Sequence, residues 1–379
     1  MRIFLLTAIF IAELTAQLAI ALEVDREVLP RITLGGRIIS TLDLVDLDSD
    51  PDREEKINLG DSNLLLRFDK QIYSQQGVAG AVIGLTEHDD EVRFQQLHAF
   101  YWNQDFKASL GRGRLPNHLI ELPTLRDDDF LTYSHVGNAS STEEFDQIYG
   151  ESFKFDWFVD RKMQAVSLWA GTRNGDEENG FNSYGLGYQY AQPEHLHFTR
   201  RIRLAGIQLD RQKVEFSNDD EWITAVIAGA DINLNRDPSK VWSLAVQAIV
   251  KDGIDGITQI DNFATQAQAE SSSLVAALRY INRPNLLTSW QAGLTFGYKD
   301  YSDMTDATQF SIAPSFVYKL GQGIDLLTQV IYTSYDDGLY AGGDDVMFQV
   351  GISFSLESVF NDQIHDRNSI LNLEHKYIQ

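Results

Sequence analysis

Two sets of charged residues raise the question of chemistry. Four carboxylates, Glu121, Asp127, Asp128 and Asp129, fall within one stretch, 115–149, that also carries Ile120, Leu122, Leu125, Phe130, Leu131 and Tyr133. Five bases, Arg67, Lys154, Arg201, Arg203 and Arg279, recur on one parity of separate alternating segments. Carboxylates opposed to guanidinium and ammonium groups across a wet gap break no bond. They set up a transverse field that orients dipolar solutes and sorts ions by sign. The bond-making alternatives are thinner. His195-x-His197, with Glu194 beside it, puts two metal ligands on one face of a strand, fewer than a zinc site uses. The alternate carboxylates of Asp46–Asp52 have calcium-loop spacing but lack the glycine and glutamate such a loop needs. The sequence has no Gly-x-Ser-x-Gly elbow, no His-Glu-x-x-His helix and no glycine-rich phosphate loop. No catalytic residue, metal or cofactor is therefore expected.

The elements that would position these charges are strands. In 345–356 the even positions read Val346, Phe348, Val350, Ile352, Phe354 and Leu356, and the odd ones Met347, Gln349, Gly351, Ser353 and Ser355. Side chains alternate faces along a strand, so the segment has one apolar and one wet face. The split recurs at 183–190, 241–251, 273–280, 286–298 and 309–318. A polar interior inside an apolar exterior marks an all-β, transmembrane antiparallel β-barrel. Sixteen strands are expected: 31–42, 61–72, 77–86, 91–102, 105–114, 151–160, 162–172, 181–191, 199–210, 221–233, 240–251, 271–281, 285–298, 307–319, 324–335 and 345–356. Parity slips in the third, fourth, fifth, seventh, ninth and tenth suggest bulges at glycines such as Gly206 and Gly229, and leave fourteen or eighteen strands open.

The connections alternate in kind. Short turns at 160–162, 234–240, 281–285 and 320–323 face longer acidic ones at 43–60, 172–180, 212–220, 252–270, 300–306 and 335–344. Short periplasmic turns and long outer loops are the arrangement of such barrels. Tyr190, Tyr280, Tyr318 and Phe354 at one end, with Tyr298 and Tyr332 at the other, would form two interfacial girdles.

Residues 1–21 read as a secretory signal peptide, with the apolar run Ile3–Ala12 and the small-x-small site Ala19-Ile20-Ala21. Residues 22–356 are then the barrel, and 357–379 a polar periplasmic tail. The absence of cysteine rules out disulfides and thiolate chemistry, and the net charge of −24 excludes nucleic acid as a natural partner. Acidic patches suit divalent cations that bridge lipopolysaccharide.

A charged side chain facing lipid at the midplane costs roughly 2 to 4 kcal/mol, so the charges opposite apolar neighbours should point to water. Arg67 and Asp69 oppose Leu64, Leu66 and Phe68; Lys154 and Asp156 oppose Phe153, Phe155 and Trp157; Arg201 and Arg203 oppose Ile202 and Leu204; Arg279 opposes Leu278 and Tyr280. Arg112 and Arg114 share the outward parity of Leu110. Either the glycines beside Arg112 allow a bulge that turns them inward, or they lie at a subunit interface.

The run Leu110-Gly111-Arg112-Gly113-Arg114-Leu115-Pro116, followed by Ile120-Glu121-Leu122, resembles the strand-to-loop junction of the sixteen-stranded bacterial outer-membrane porins. Together with Ile32-Thr33-Leu34-Gly35-Gly36-Arg37 it is similar to the phosphate-selective porin O/P family, although an acidic chain departs from that family's basic pore. The resemblance implies a homotrimer in the outer membrane of a Gram-negative bacterium. It also implies a third outer loop, 115–149, folded into the barrel as the constriction. The function implied is passive diffusion of small hydrophilic solutes and ions, with a preference for cations or zwitterions. Two other readings stand beside it: a scaffold that catches a partner through 357–379, and a barrel hydrolase using a lumenal histidine such as His98.

Overall fold

The computed structural model describes residues 31–48, 56–58, 62–72, 77–88, 91–114, 149–160, 164–172, 181–191, 202–216, 219–237, 239–254, 257, 269–282, 289–302, 304–321, 323–336, 338–339 and 342–360. They form one antiparallel sheet of seventeen strands. In order these are β1 (Arg31–Leu47), β2 (Lys56–Asn58), β3 (Asn63–Ile72), β4 (Gly77–His88), β5 (Glu91–Trp102), β6 (Phe106–Arg114), β7 (Tyr149–Asp160), β8 (Gln164–Thr172), β9 (Ser183–Ala191), β10 (Ile202–Phe216), β11 (Asp219–Asn233), β12 (Lys240–Asp252), β13 (Ser271–Asn282), β14 (Ser289–Asp300), β15 (Thr308–Gly321), β16 (Ile324–Tyr335) and β17 (Gly343–Phe360).

Each long strand pairs with its sequence neighbours, and β1 pairs with both β3 and β17, so the succession of pairings is cyclic. The extra strand, β2, has three residues and lies against Thr41–Asp43 of β1, inside the segment expected as the first outer loop. The fifth outer connection is also shorter than expected. β10 and β11 stay paired up to Phe216 and Asp219, so most of 212–220 is ladder. β17 runs to Phe360 because the first residues of β1 need a partner: Ile32 pairs with Phe360 and Gly35 with Glu357.

Burial is inverted relative to a water-soluble sheet protein. Along β17, Val346, Phe348, Val350, Ile352 and Phe354 are between 38% and 46% exposed, whereas Met347, Gln349 and Ser353 are 6% exposed or less. The rule holds around the ring. Among the buried residues are Asp69, Lys107, Asp156, Gln208, Asp210, Gln247, Lys251, Lys299, Gln309 and Gln329. Leu64, Leu110, Trp157, Leu186, Ile207, Leu274, Leu294 and Phe316 stand on the other, exposed face. Apolar side chains covering an outer surface are stable where that surface meets hydrocarbon.

The parity slips have a local cause, but it is not Gly206 or Gly229, which pair regularly with each other. Register shifts occur at Gly84/Leu85 opposite Gln96 and Phe94, at Phe158/Asp160, at Ile202/Leu204 and at Lys319/Gly321. Each extra residue flips the parity beyond it. The shift at Arg203 therefore turns Leu204 inward, where it is buried; an outward Leu204 was expected from the alternation.

Outer-face aromatics meet across neighbouring strands in tilted and edge-on contacts. Trp242, Tyr280, Trp290 and Phe316 of β12 to β15 follow one another at 4.6, 5.2 and 5.8 Å between ring centroids. All four lie toward the short-turn end.

Candidate functional site

The inner face of β3 to β8 carries close ion pairs and the rings of Phe100, Trp102 and Trp169. The cross-strand line Asp69, Gly80, Phe100, Ser109, Lys154, Trp169 fixes who meets whom. Gly80 has no side chain, so Phe100 leans across β4; a Cβ built on Gly80 would lie 2.5 Å from Phe100 Cζ. That brings the ring beneath Arg67, whose guanidinium carbon lies 4.6 Å from the centroid, and Lys107 Nζ lies 5.7 Å from it. Both distances fall within cation–π range. Trp169 lies flat on Gly185 of β9 in the same manner, filling the space a Cβ would need.

Arg67 Nε donates to Asp69 Oδ1 at 2.8 Å, and both side chains are 5% exposed or less. A buried charge must be paired, and this pair satisfies that condition. Lys154 Nζ lies 3.5 Å from Asp156 Oδ1, which also accepts from Ser167 Oγ at 2.6 Å. His98 and Trp102 share the inward parity of Phe100.

Arg67 and Lys154 thus stand on one wall. Arg279 stands on β13, far round the ring from both, and its Nε donates to Ser243 Oγ of β12 at 3.2 Å. Arg201 lies outside the described residues, as does the side chain of Arg203; so do Glu121, Asp127, Asp128 and Asp129. The pair His195 and His197 lies outside them too. Among the described residues no group of three His, Asp or Glu could hold a metal ion.

The inner face of β10 to β17 carries the larger apolar cluster, interleaved with buried polar side chains such as Gln247, Gln309 and Gln329. Leu204, Ile227, Ile249, Val275, Val317, Leu327, Ile331 and Met347 form one buried apolar cluster there. At its long-loop end stand two fully buried lysines, Lys251 and Lys299, with Lys299 Nζ 4.5 Å from the ring centroid of Tyr301. Tyr335 Oη donates to Asp345 Oδ2 at 2.8 Å nearby. The parity that placed Arg67 inward also covers Lys107, through Phe106, Ala108 and Leu110 on the opposite face. The glycine seats for Phe100 and Trp169 depend on register between strands, which no single segment carries.

Gly111 has a φ of +123°, a left-handed conformation natural only to glycine. Arg112 nevertheless stays outward, because it pairs in register with Leu97 and Glu151, both exposed. Its Nη2 lies 3.6 Å from Glu151 Oε1, and Nη1 donates to the Phe94 carbonyl at 3.4 Å. The pair borders an outer-face groove of about 630 Å³ with Phe94, Leu110, Phe153 and Phe181.

No protein-family model matches the sequence, and no curated protein matches it. Solved structures do. An anion-selective porin from Comamonas acidovorans superposes with a TM-score of 0.62 at 14% identity, covering 86% of this chain and 99% of that one. OmpT, an outer membrane protein of Vibrio cholerae, matches with a TM-score of 0.60 at 9% identity, covering 88% and 100%. The outer membrane channel DcaP of Acinetobacter baumannii matches at 0.58 and 11% identity, covering 86% and 97%. The chain therefore has the fold of outer-membrane porins.

Proposed function

We propose that the protein is an outer-membrane porin through which small hydrophilic solutes and ions diffuse passively. One observation carries this reading. A cyclic antiparallel ladder buries its charged and amide side chains on one face and exposes leucine, phenylalanine and tyrosine on the other. Cyclic pairing leaves no long strand with an open edge, as a strand structure in lipid requires. The porin fold of the matched structures supports the same conclusion, and with it an outer-membrane location and a homotrimer; one matched OmpT structure is of the trimer form.

In this reading Glu121, Asp127, Asp128 and Asp129 form the acidic side of the constriction, and Arg67, Lys154, Arg201, Arg203 and Arg279 the basic lining. Topology supports an inward third loop. β6 and β7 anchor the segment 115–148, and the strands eight places further round a ring of sixteen are β14 and β15. β15, with β10 to β13, β16 and β17, presents the buried apolar cluster, a natural seat for Ile120, Leu122, Leu125 and Phe130. A loop crossing toward that wall leaves the passage along Arg67 and Lys154. Solute selection then follows from diameter and from the field between carboxylates and bases.

The test is single-channel conductance and reversal potential of the refolded protein in a planar bilayer under a KCl gradient. Wild type is compared with Asp127→Asn/Asp128→Asn/Asp129→Asn. Steady open steps are expected, with selectivity moving toward anions in the variant. A folded, heat-modifiable barrel without conductance would overturn the porin reading.

A further inference from the structure

We propose that three outer connections form a cap over the β12–β16 side of the mouth. The cap masks Lys251 and Lys299 from the conducting water, so that the mouth does not carry their preference for anions; the inference rests on the porin reading above. The chain beyond these strand ends does not splay into solvent. Ile254 and Ile257 of the β12–β13 connection, Tyr301 and Ala307 of the β14–β15 connection and Leu339 of the β16–β17 connection gather in one buried cluster, each 8% exposed or less. Burying that apolar surface together holds the three connections against one another.

Backbone contacts lace the same segments. Gly338 N–H donates to the Asp306 carbonyl at 2.9 Å, and a Cβ built on Gly338 would lie 2.7 Å from that oxygen and 2.9 Å from the Thr305 carbonyl. Only a residue without a side chain lets the β16–β17 connection come this close to the β14–β15 one. Thr308 Oγ1 donates to Asp336 Oδ2 between the same two segments. In the β12–β13 connection a Cβ on Gly253 would overlap the Glu270 backbone nitrogen, so its two ends close directly on each other.

The two lysines lie where this cap meets the wall. Lys251 stands two residues before Gly253, and Lys299 two before Tyr301, with its Nζ 4.5 Å from the Tyr301 ring centroid. Both are 0% exposed. Their cross-strand neighbours are neutral: Ala225 and Ser271 beside Lys251, Ser273 and Gln309 beside Lys299. A passing ion cannot reach an ammonium covered by packed side chains. Uncovered at the mouth, the pair would draw anions over about a Debye length, roughly 8–10 Å.

The experiment treats the full refolded protein in detergent micelles with a water-soluble amine-reactive ester and reads each lysine by peptide mass spectrometry. Lys240 and Lys319, exposed at the short-turn end, should be modified in wild type, and Lys251 and Lys299 should not. Gly338→Val drives a side chain into the Asp306 carbonyl and should open both lysines to the reagent. In a planar bilayer under a KCl gradient that variant should conduct more than wild type, with its reversal potential moved toward anions. Adding Lys251→Gln/Lys299→Gln should cancel the shift of potential and keep the raised conductance. Leu339→Asn, which sets an amide in the apolar cluster, takes the place of Gly338→Val if the latter does not fold. Wild-type Lys251 and Lys299 modified as fast as Lys240, lysines still protected in both cap variants, or uncovered lysines without a shift of reversal potential would each overturn the proposal. If the folded barrel shows no conductance, the porin reading falls and the labelling decides the cap alone: protection lost in the cap variant upholds it, and modification of wild type overturns it.

Discussion

The two halves of the ring share a strand architecture but not an inner surface. From β3 to β8 the inward side chains include ion pairs and large rings, Arg67 with Asp69, Lys154 with Asp156, Phe100 on Gly80 and Trp169 on Gly185, beside a smaller apolar cluster of Leu65, Val78, Val82, Trp102 and Phe158. From β10 to β17 an aliphatic cluster with Ile227, Ile249, Leu327, Ile331 and Met347 at its centre alternates with buried polar side chains such as Gln208, Gln247, Lys251, Gln309 and Gln329. Alternation alone makes both halves look alike, because it reports which face turns inward and not what that face meets. Charged and amide side chains can line water; the Ile227, Ile249 and Ile331 side chains, each 2% exposed or less, do not meet it. The halves therefore differ in proportion: the ion pairs Arg67–Asp69 and Lys154–Asp156 stand on β3 and β7, and the larger apolar cluster on β10 to β17.

The sharpest way to break this comparison is to remove one partner of the buried pair. Arg67→Met leaves Asp69 charged with no counter-charge, and should lower the unfolding free energy by about 3–5 kcal/mol in urea titrations of the bilayer-inserted protein. Arg67→Met/Asp69→Leu should recover most of that loss. A single variant as stable as wild type would mean that this wall is fully wet and its charges screened by water.

The opposite wall is tested by truncation. Ile249 is 2% exposed within the apolar cluster, so Ile249→Ala should cost about 2 kcal/mol through lost burial and a residual cavity. The same titration reads it. A change near zero would show that the side chain faces solvent, and the two walls would then differ in composition without differing in wetness.

How far the sequence foretold each wall follows from the bulges. Between Lys240 and Lys319 the ladders of β12 to β15 carry no register shift, and there parity read from the chain matches the burial residue by residue. In β5, β7 and β10 an extra residue at Gln95, Val159 or Arg203 inverts the pattern partway along. Alternation alone therefore puts Leu204 outward and points to Gly206 and Gly229, glycine being a usual bulge site, whereas the extra residue is Arg203. Arg67, Lys154 and Arg279 could be placed inward from local alternation, but that alternation is silent about distance round the ring. The three therefore read as one wall when Arg279 belongs to the other. The seats for Phe100 and Trp169 exist only once register is fixed across several strands. A glycine on one strand and a ring on the next have no fixed separation in sequence.

The smallest expected effect concerns a turn that holds the apolar wall in register. Leu234–Ser239 joins β11 to β12, with Leu234 N–H donating to the Trp242 carbonyl at 2.8 Å and Trp242 N–H donating to Asn235 Oδ1 at 2.9 Å. Asp237 closes it: Oδ1 accepts from Ser239 Oγ at 2.7 Å and from Ser239 N–H at 2.9 Å. These bonds favour the charged carboxylate, first through the Ser239 hydroxyl and then through its amide, and hold the Asp237 carboxyl below its ordinary value. A group whose folded-state pKa is lowered contributes stability that is present above its unfolded pKa and is lost as pH falls through the folded one. Asp237→Asn should therefore be slightly less stable than wild type near neutrality, and the two should converge in acid below the usual carboxylate range. Paired urea titrations from pH 7 down to pH 3 would read this. A difference that persists at the acid end would assign the effect to the changed hydrogen-bond geometry of the amide and not to charge. A one-residue slip here would turn one strand over relative to the other and part Ile227 from Ile249, so even a weak turn bond bears on how the apolar cluster assembles.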